Sequence, residues 1–411
     1  MAEKLDIHNY ELRLKSSLQR VLVAKIPEND KRLIQDYDRA RKLEGTANAT
    51  RVRTIDCLLD LAKFLKKDIK EANKEDIKSY IYEIETREGY SPWTKIKYKA
   101  VVKKFFKWVR YGDDYLSRDD YPDEVKWIKV NLKKKDIPRI SRTDVLTEEE
   151  IEKLIEAADN PRDKAFISII SDCGARIGEV GNLRIKDVYR DEFSFLIHLR
   201  GKTGEREDAV VYSGSYIAQW LNCHPLRNDR EAPLWVNMKR GSRQYEQMKY
   251  GSFRNLCKEL FQKAGIDKRF NPHIFRHSRV TINLAKGILN EAQAKTFFGW
   301  TPDSKMFSNY AHLVSRDANE AILAAAGIKK KGENAIKLKP NVCKTCNYMN
   351  SPEANFCERC GRPLNTKATL LYSHMKHEAY EILDKLKDDP AFLALAMKKI
   401  PELLQSPTTV S

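Results

Sequence analysis

The first 112 residues of the chain carry apolar positions with the period of an α-helix. In the stretch IDCLLDLAKFLKKDI, apolar side chains recur on one helix face between Ile55 and Leu65. The next stretch, NKEDIKSYIYEIETREG, begins at Asn73, a residue suited to an N-cap, and stops at Gly89. A third helical stretch, SPWTKIKYKAVVKKFFKWVRYG, follows directly. The pattern therefore predicts a helical N-terminal domain.

A row of lysines runs along this third stretch beside its apolar face. Lys95, Lys99, Lys103 and Lys107 step by four residues, and no acidic residue interrupts the stretch. A lysine row is often only a solvated helix face. The absence of acidic residues favours a surface that follows the phosphates of a nucleic acid. We therefore predict that Lys95, Lys99 and Lys103 contact DNA.

From residue 143 onwards, helical and strand patterns alternate. VLTEEEIEKLIEAA predicts a helix that Thr147 caps and whose first turn is acidic. An apolar helix follows in DKAFISIISDCG, and the runs FSFLIHL and DAVVY predict two strands around the turn RGKTGERE. Further helices continue to about Ile328. We expect a region that combines α-helices and β-strands.

Stretches without a clear period separate these regions. GDDYLSRDDYPDE and VKWIKVNLKKKDIPRISR combine turn residues, lysines and a proline, and KKKGENAIKLKPN has the composition of a second connection. Near the C-terminus, EAYEILDKLK and AFLALAMKKIPELL predict helices whose apolar faces need a partner. The expected organisation is a helical domain at 1–112, a linker at 113–142, an α+β domain at 143–329, a linker at 330–340, a cysteine-rich module at 341–364 and a helical tail at 365–411.

Composition and charge narrow the class of protein. Of the 411 residues, 42% are hydrophobic and 32% are charged, which suits a globular protein in water. No window approaches about 18 consecutive apolar residues, so we expect no membrane span. The first residues, MAEKLDIHNYELRLKSS, lack the apolar core of a signal peptide. The formal charge of +17 favours a polyanionic partner, nucleic acid first and an anionic membrane second. We expect a cytoplasmic, nucleoid-associated protein.

Four of the eight cysteines are clustered near the C-terminus, in CKTCNYMNSPEANFCERCG. Two Cys-x-x-Cys pairs separated by ten residues bring four thiolates together, the composition of a structural zinc site, with free thiols as the alternative. Disulfides are unusual in a reducing compartment. The predicted zinc ligands are Cys343, Cys346, Cys357 and Cys360. The other four cysteines, expected to be buried or idle, are Cys57, Cys173, Cys223 and Cys257.

Two motifs in the α+β region combine cations with an acid. In GARIGEVGNL, Arg176 and Glu179 share one face of a short helix, a spacing that is usually a surface ion pair. In LRGKTGERE, Lys202 lies at the tip of the predicted hairpin, a position at which lysines usually serve solubility. Neither motif alone indicates a functional site, and each becomes significant only in combination with the other motifs.

The stretch NPHIFRHSRVT predicts a helix N-terminus that is suited to an anion. We expect Asn271 to be the N-cap and Pro272 the first helical residue. His273 and Arg276 then lie on one face near the positive end of the helix dipole. The alternative is a capped surface helix with incidental basic residues. Further along, FFGWTPDSKMFSNYAHL contains Trp300 and Tyr310, and a buried aromatic residue is the plain interpretation of such a tyrosine.

The order of these residues resembles the tyrosine recombinase (phage integrase) family. That family shows A-R-[IL]-[GS]-E, a hairpin lysine, H-x-[LIF]-R-H, G-[HW] and a Y-x-H-like tyrosine in this order. Here the corresponding stretches are ARIGE, LRGKTGERE, HIFRH, GW and YAH, and they span about residues 143–328. The ordered set is specific, although no single motif decides it. With its C-terminal cysteines, the chain resembles archaeal integrases that carry a zinc ribbon.

The resemblance implies a mechanism. Tyr310 would attack a DNA phosphate and form a 3′-phosphotyrosyl link, which a second DNA end reseals without ATP or a catalytic metal. Arg176 and Arg276 would clamp the non-bridging oxygens, as guanidinium groups suit them. Lys202 would protonate the departing 5′ oxygen, and His273 would assist the proton transfers.

The remaining roles also follow from the resemblance. Glu179 would buttress the pocket, and Trp300 would pack against it and donate its indole N–H. The implied fold is α+β and multidomain: a helical DNA-clamp (core-binding) domain, a mostly helical catalytic domain with a small β-sheet, a zinc ribbon and a helical tail. The implied partners are double-stranded DNA carrying recombination sites and a homotetramer on paired sites, without a membrane. Zinc would be structural only.

Two features depart from the commonest family pattern. Trp300 stands where many members have histidine, a substitution seen within the family. Tyr310 follows Trp300 by ten residues, one more than the commonest spacing. Two alternatives to a site-specific recombinase stay open: a type IB topoisomerase-like enzyme that nicks and reseals one duplex, and a non-catalytic DNA-binding regulator. The regulator is disfavoured because the tyrosine and both arginines are present.

Overall fold

The computed structural model describes residues 5–132, 140, 142–191, 194–202, 204–307, 310, 340–387, 389–395 and 397. The chain divides into two compact units, one of residues 1–141 with 248–252 and the other of residues 142–247 with 253–411. None of the helices in the described ranges has the length and apolar character needed to cross a membrane.

The first unit is a helical bundle, as its apolar period predicts. The central helix, Asn48–Leu65, buries Ile55, Leu58 and Leu61 completely or almost so. The predicted cap at Asn73 is present, because its side chain accepts hydrogen bonds from the first turn of the next helix and Asp76 returns one. The helices are α1 (Tyr10–Val23), α2 (Glu28–Leu43), α3 (Asn48–Leu65), α4 (Lys74–Thr86) and α5 (Pro92–Tyr111).

The lysine row lies on α5, and its members have partners inside the unit. Lys95 and Lys99 both reach Glu85, the first through the backbone carbonyl and the second through the carboxylate. Lys103 and Lys107 donate to backbone carbonyls of the segment that follows α5. Lys107 is buried, so it does not belong to a solvated face. Contact of the row with DNA stays a prediction.

The region predicted as a linker, 113–142, is in part packed against the bundle. A 3₁₀ turn at Gly112–Leu116 follows α5, and Tyr115 is buried. Val125 and Ile128 belong to the apolar core of the unit. No period marks these positions in the sequence because short turns, and no helix or strand, carry these apolar side chains.

The second unit is mostly helical with one three-stranded sheet. Thr147 caps its first helix in a reciprocal arrangement with Glu150, as predicted. The elements up to Phe297 are α6 (Glu148–Glu156), α7 (Pro161–Cys173), α8 (Ile177–Gly181), β1 (Val188–Arg190), β2 (Phe195–Gly201), β3 (Gly204–Val210), α9 (Gly214–Cys223), α10 (Tyr250–Lys263), α11 (Ile274–Ala285) and α12 (Glu291–Phe297).

The sheet is an antiparallel meander in the order β1-β2-β3. Its hairpin is tighter than the sequence suggested, since Gly201 pairs with Gly204 and most of RGKTGERE is strand. Charged residues continue the strands because they pair across the ladder: Glu205 lies 2.9 Å from a ring nitrogen of His198 and 3.6 Å from Arg200.

Helix α11 begins later than predicted. The expected cap and first residue, Asn271 and Pro272, lie before the helix, and His273 occupies the N-cap position. The Asn271 side chain instead accepts the backbone N–H of His273 at 2.9 Å. Asn271 therefore closes a local turn that leads into α11.

Two short strands, β4 (Asn341–Val342) and β5 (Met349–Asn350), pair in the cysteine-rich module. Helix α13 (Thr366–Leu386) contains the predicted EAYEILDKLK helix, and apolar side chains such as Leu371 and Ile382 are exposed on it. The predicted end of the α+β domain from residue 311, the second linker up to 339 and the last residues, 398–411, lie outside the described residues.

Gly174 ends α7 in the left-handed region, with φ of 60°. A Cβ atom at this position would lie 2.8 Å from the Cβ of Arg279 and 3.0 Å from the Phe298 ring. The backbone here therefore approaches α11 and the residue that follows α12 closely. Only glycine combines this conformation with this spacing.

Gly174→Ala is expected to lower the free energy of unfolding by about 2–4 kcal/mol, because a strained backbone and an overpacked contact act together. Gly265→Ala is a matched control, since Gly265 has φ of 65° but no heavy atom lies within 4 Å of the position that its Cβ would take. The control should lose only about 1 kcal/mol. Urea unfolding measures both, and equal losses would show that the close approach has no energetic weight.

Candidate active site

Arg276 lies in the interior of the second unit, with 4% of its surface exposed. Its guanidinium group donates to the carbonyl oxygen of Gly174 at 3.2 Å and to that of Phe298. It also lies over the rings of Phe298 and Trp300, 5.4 and 5.6 Å from their centroids. Burial and then the charge of Arg176 lower its pKa to about 10, so the group stays charged at neutral pH.

Arg176 and Glu179 are joined at the start of α8. The Glu179 carboxylate accepts the backbone N–H of Arg176 at 3.0 Å and its guanidinium group at 2.7 Å. The Glu179 side chain is 4% exposed and that of Arg176 is 33% exposed. The pair is therefore not the surface ion pair that its spacing allowed. Glu179 is a buried support, and Arg176 keeps part of its guanidinium group accessible.

A further arginine, Arg206 on β3, supports Glu179 from the other side. It donates to the Glu179 carboxylate at 3.1 Å, to Asp208 at 3.1 Å and to the carbonyl of Phe297 at 3.0 Å. Burial would raise the pKa of Glu179, but Arg206 and Arg176 hold it below its usual value. Arg206 was not predicted from the sequence. Its signal was the i, i+2 alternation that places Arg206 and Asp208 on the buried face of one strand.

The hairpin of Lys202 lies against the same carboxylate. A Cβ atom on Gly201 would lie 2.4 Å from Glu179 Oε1, so this glycine allows the strand to reach the pocket. Lys202 is the next residue and is exposed. The predicted lysine therefore stands at the edge of the Arg176–Glu179 pair. Its role as a proton donor stays a prediction.

Tyr310 is fully buried, and its hydroxyl group is engaged. The hydroxyl oxygen lies 2.6 Å from Nδ1 of His277, and the ring stacks on Trp300 with centroids 6.0 Å apart. Burial raises the pKa of Tyr310 to about 12, although Arg276 opposes this. The tyrosine is thus buried, as the plain interpretation held, but its hydroxyl faces charged and polar groups.

His277 is a partner of the tyrosine that was not predicted from the sequence. It is the second histidine of HIFRH, so the signal was already within the motif. Burial, followed by the charges of His273 and Arg276, lowers its pKa to about 4. A neutral imidazole accepts a proton at one nitrogen only, and here Nδ1 can accept that of the tyrosine. His277 therefore fixes the hydroxyl of Tyr310.

His273 stands at the entrance of this group, exposed at the N-cap of α11. Its ring centroid is 6.1 Å from that of His277. Desolvation, Arg276 and Arg176 lower its pKa in that order. Of the seven predicted catalytic residues, contacts join Arg176 to Glu179, Arg276 to Trp300 and Trp300 to Tyr310. His273 and Lys202 lie beside these two groups.

The arrangement places the charge of Arg276 near the Tyr310 hydroxyl and that of Arg176 near Arg276. The pKa of Arg276 is lowered partly by Arg176, which shows that the two charges act on each other. Such a pair is suited to an oxyanion with several equivalent oxygens, above all a phosphodiester. A hydroxyl nucleophile with a neutral imidazole acceptor completes the elements of phosphoryl transfer to tyrosine.

The four clustered cysteines also come together. Sγ of Cys343 lies 3.6 Å from that of Cys360, and the same distance separates Cys346 from Cys357. All four sulfur atoms lie within 4.8 Å of one another. Zn–S bonds of about 2.3 Å in a tetrahedron require sulfur atoms about 3.8 Å apart. The donor set fits a zinc ion. Of the scattered cysteines, Cys223 is exposed and the other three are buried.

Comparison with known proteins indicates the same family as the sequence motifs. Residues 144–316 match the Phage integrase family. "Tyrosine recombinase XerA" of Saccharolobus solfataricus is 28% identical over 285 residues, which cover 69% of this chain and 89% of that protein. "Tyrosine recombinase XerA" of Pyrococcus horikoshii is 28% identical over 244 residues, covering 57% and 81%. A lambda integrase dimer bound to a COC′ core site matches with a TM-score of 0.51 and 15% identity, covering 69% and 77%, and shows the same fold.

A titration of the His277 ring tests the pair that it forms with Tyr310. Its apparent pKa should be about 4, so nitrogen shifts in a ¹⁵N-edited spectrum should remain those of a neutral ring at about pH 5.5. Because the unfolded chain takes up this proton near pH 6.5, the wild type should lose stability relative to His277→Gln as the pH falls from about 6.5 to 4. A ring that is charged at about pH 6 would contradict the assignment.

Proposed function

We propose that this chain, in which residues 144–316 form a Phage integrase family domain, is a site-specific DNA recombinase that cleaves and rejoins DNA through a 3′-phosphotyrosine. One observation carries the proposal: the hydroxyl of Tyr310 is held by His277 beside the buried guanidinium group of Arg276. A tyrosine that only fills a core does not need a charged arginine and a neutral histidine around its hydroxyl.

The chemistry is an in-line displacement at phosphorus. The Tyr310 oxygen forms a bond to phosphorus while the bond to the 5′ oxygen breaks, and Lys202 gives that oxygen its proton. The tyrosine proton passes to an imidazole, with His277 nearest at 2.6 Å and His273 at the entrance. Arg176 and Arg276 stabilise the five-coordinate phosphorus, because charge develops on its equatorial oxygens. The phosphotyrosyl bond conserves the energy of the broken phosphodiester bond, which then allows rejoining to the second DNA strand.

Supporting residues keep the two arginines in position. Glu179 holds Arg176 and is itself held by Arg206. Arg276 is held by two carbonyls and by the ring of Trp300. Arginine side chains that are fixed before the substrate arrives cost little reorganisation in the transition state. The donation from the Trp300 indole N–H to the phosphate is part of the proposal.

We infer that the partner is double-stranded DNA carrying recombination sites, on which four copies of the chain assemble. The net charge of +17 and the family match support this partner. Lys95, Lys99 and Lys103 on α5 would contact DNA phosphates within a helical clamp domain of about residues 1–112. The predicted boundaries of the linkers, the zinc ribbon at 341–364 and the helical tail belong to the same proposal.

The four cysteines would hold one structural zinc ion, and no catalytic metal is invoked. Each Cys-x-x-Cys turn is followed by a residue with positive φ, Asn347 at 53° and Gly361 at 67°, as tight thiolate turns require. The cysteine module packs against other parts of the second unit, since Gln219 donates to Glu358 at 2.9 Å and Arg190 lies 4.7 Å from the ring centroid of Tyr348. Zinc would therefore stabilise this packing and take no part in strand cleavage.

The nucleophile is tested with a nicked duplex that loses its short 5′ fragment after cleavage and traps the covalent complex. Tyr310→Phe should abolish the covalent protein–DNA band while binding and folding persist, because only a hydroxyl group is lost. Tyr245→Phe is the control, since Tyr245 is exposed in the same unit and its loss should leave the band unchanged. A band that persists in Tyr310→Phe would rule out the assignment.

Metal analysis of freshly purified protein should give one zinc per chain. Cys343→Ser with Cys360→Ser should lose it because two of four thiolates are removed, whereas Cys223→Ser should retain it. Cleavage of the nicked duplex should continue in the presence of a chelator. A zinc content well below one per chain in the wild type would contradict the zinc site. Loss of cleavage in the chelator with the fold intact would show that the metal is catalytic.

A further inference from the structure

A groove of about 730 Å³ lies in the first unit between α5 and the segment that follows it. Its volume falls in the range of small-ligand sites. Apolar walls come from residues such as Leu116, Trp127 and Val130, and all its charged lining residues are lysines: Lys103, Lys104, Lys107, Lys126 and Lys129. No carboxylate lines the groove among the residues that the structure describes.

Two of these lysines are held in place without an acidic partner. The ammonium groups of Lys103 and Lys107 lie 4.4 and 4.8 Å from the ring centroid of Tyr121. Lys103 donates to the carbonyl of Ile128 at 2.9 Å, and Lys107 donates to that of Arg118. Within the described chain, neither has a carboxylate at ion-pair distance. An ammonium group has three N–H donors, so further donors remain for a ligand.

Two of the five lysines have carboxylate partners, Lys104 with Glu44 and Lys126 with Asp123, whereas no ion pair is found for Lys103, Lys107 or Lys129 in the part of the chain that the structure describes. Lys104 lies 3.5 Å from Glu44, but Glu44 also binds Arg41 and Tyr115. Like charges held close to one another are unfavourable unless an anion joins them. The other acidic neighbours and their partners are Asp120 with Tyr111, Asp123 with Lys126, and Glu124 with Arg110.

We propose that this groove binds a phosphate-bearing ligand of the size of a nucleotide. The ammonium groups of Lys103 and Lys107 hold the phosphate, as compact cations on ordered stems do. The apolar walls, with Tyr121 and Trp127, accept the base. None of its residues belongs to the tyrosine pocket, but Lys103 is shared with the row proposed to contact DNA, so the inference rests in part on the proposed function. Two ligands have this chemistry: a free nucleotide and the end of a single DNA strand.

Calorimetric titration of the full chain tests the site with three probes: inorganic pyrophosphate, dAMP and a 5′-phosphorylated tetrathymidylate. We expect one ligand per chain, and Lys103→Gln with Lys107→Gln should weaken binding by about tenfold or more. Lys63→Gln with Lys70→Gln is the charge-matched control, since both lysines are exposed in the same unit and away from the groove. The control should bind as the wild type does.

Because Lys107 is buried, its substitution affects folding as well as the groove. A second variant at an exposed position separates loss of binding from loss of folding. Lys129 is exposed at the groove, so Lys129→Glu should weaken binding while the melting temperature stays unchanged. Binding of dAMP identifies a free nucleotide as the source, and binding of the tetranucleotide alone identifies a strand end. Absence of binding by all three probes at about 5 mM, or equal affinity in every variant, overturns the proposal.

Discussion

The candidate site depends on the burial of one charged group, the guanidinium of Arg276. An isolated buried cation is costly, and this one is compensated by the carbonyl groups of Gly174 and Phe298 and by two aromatic rings. Those contacts bring the end of α7, the start of α11 and the segment after α12 to one point. Gly174 allows this close approach, Trp300 covers the guanidinium group, and Tyr310 stacks on Trp300.

The same constraint determines the surroundings of Tyr310, the proposed nucleophile. Tyr310 is fully buried, and its hydroxyl lies 2.6 Å from Nδ1 of the His277 imidazole. Burial keeps its pKa at about 12, so the phenolate is not formed in advance. In the proposed mechanism, the hydroxyl leaves His277 to attack phosphorus, and the phosphate lies next to Arg176 and Arg276.

The sequence predicted which candidate residues lie together better than it predicted the residues that support them. The motif order placed Arg176, Glu179, Arg276, Trp300 and Tyr310 in one region because each motif carries its functional residue at a fixed spacing. Arg206 and Asp208 escaped because a charged alternation on a strand is indistinguishable from an exposed edge without knowledge of which face is buried. The start of α11 was misplaced since Asn and Pro also favour turns, and the packed segment after α5 lacked any period. Tertiary contacts decide all three.

The central claim is that Tyr310 carries the transferred DNA strand, and peptide mapping of the trapped covalent complex tests it most directly. The complex is digested with nuclease and trypsin, and the modified peptide is sequenced by mass spectrometry. The account predicts a nucleotide attached through its 3′ phosphate to the tyrosine of the peptide MFSNYAHLVSR. A nucleotide on any other of the 18 tyrosines, or on a serine, would contradict it.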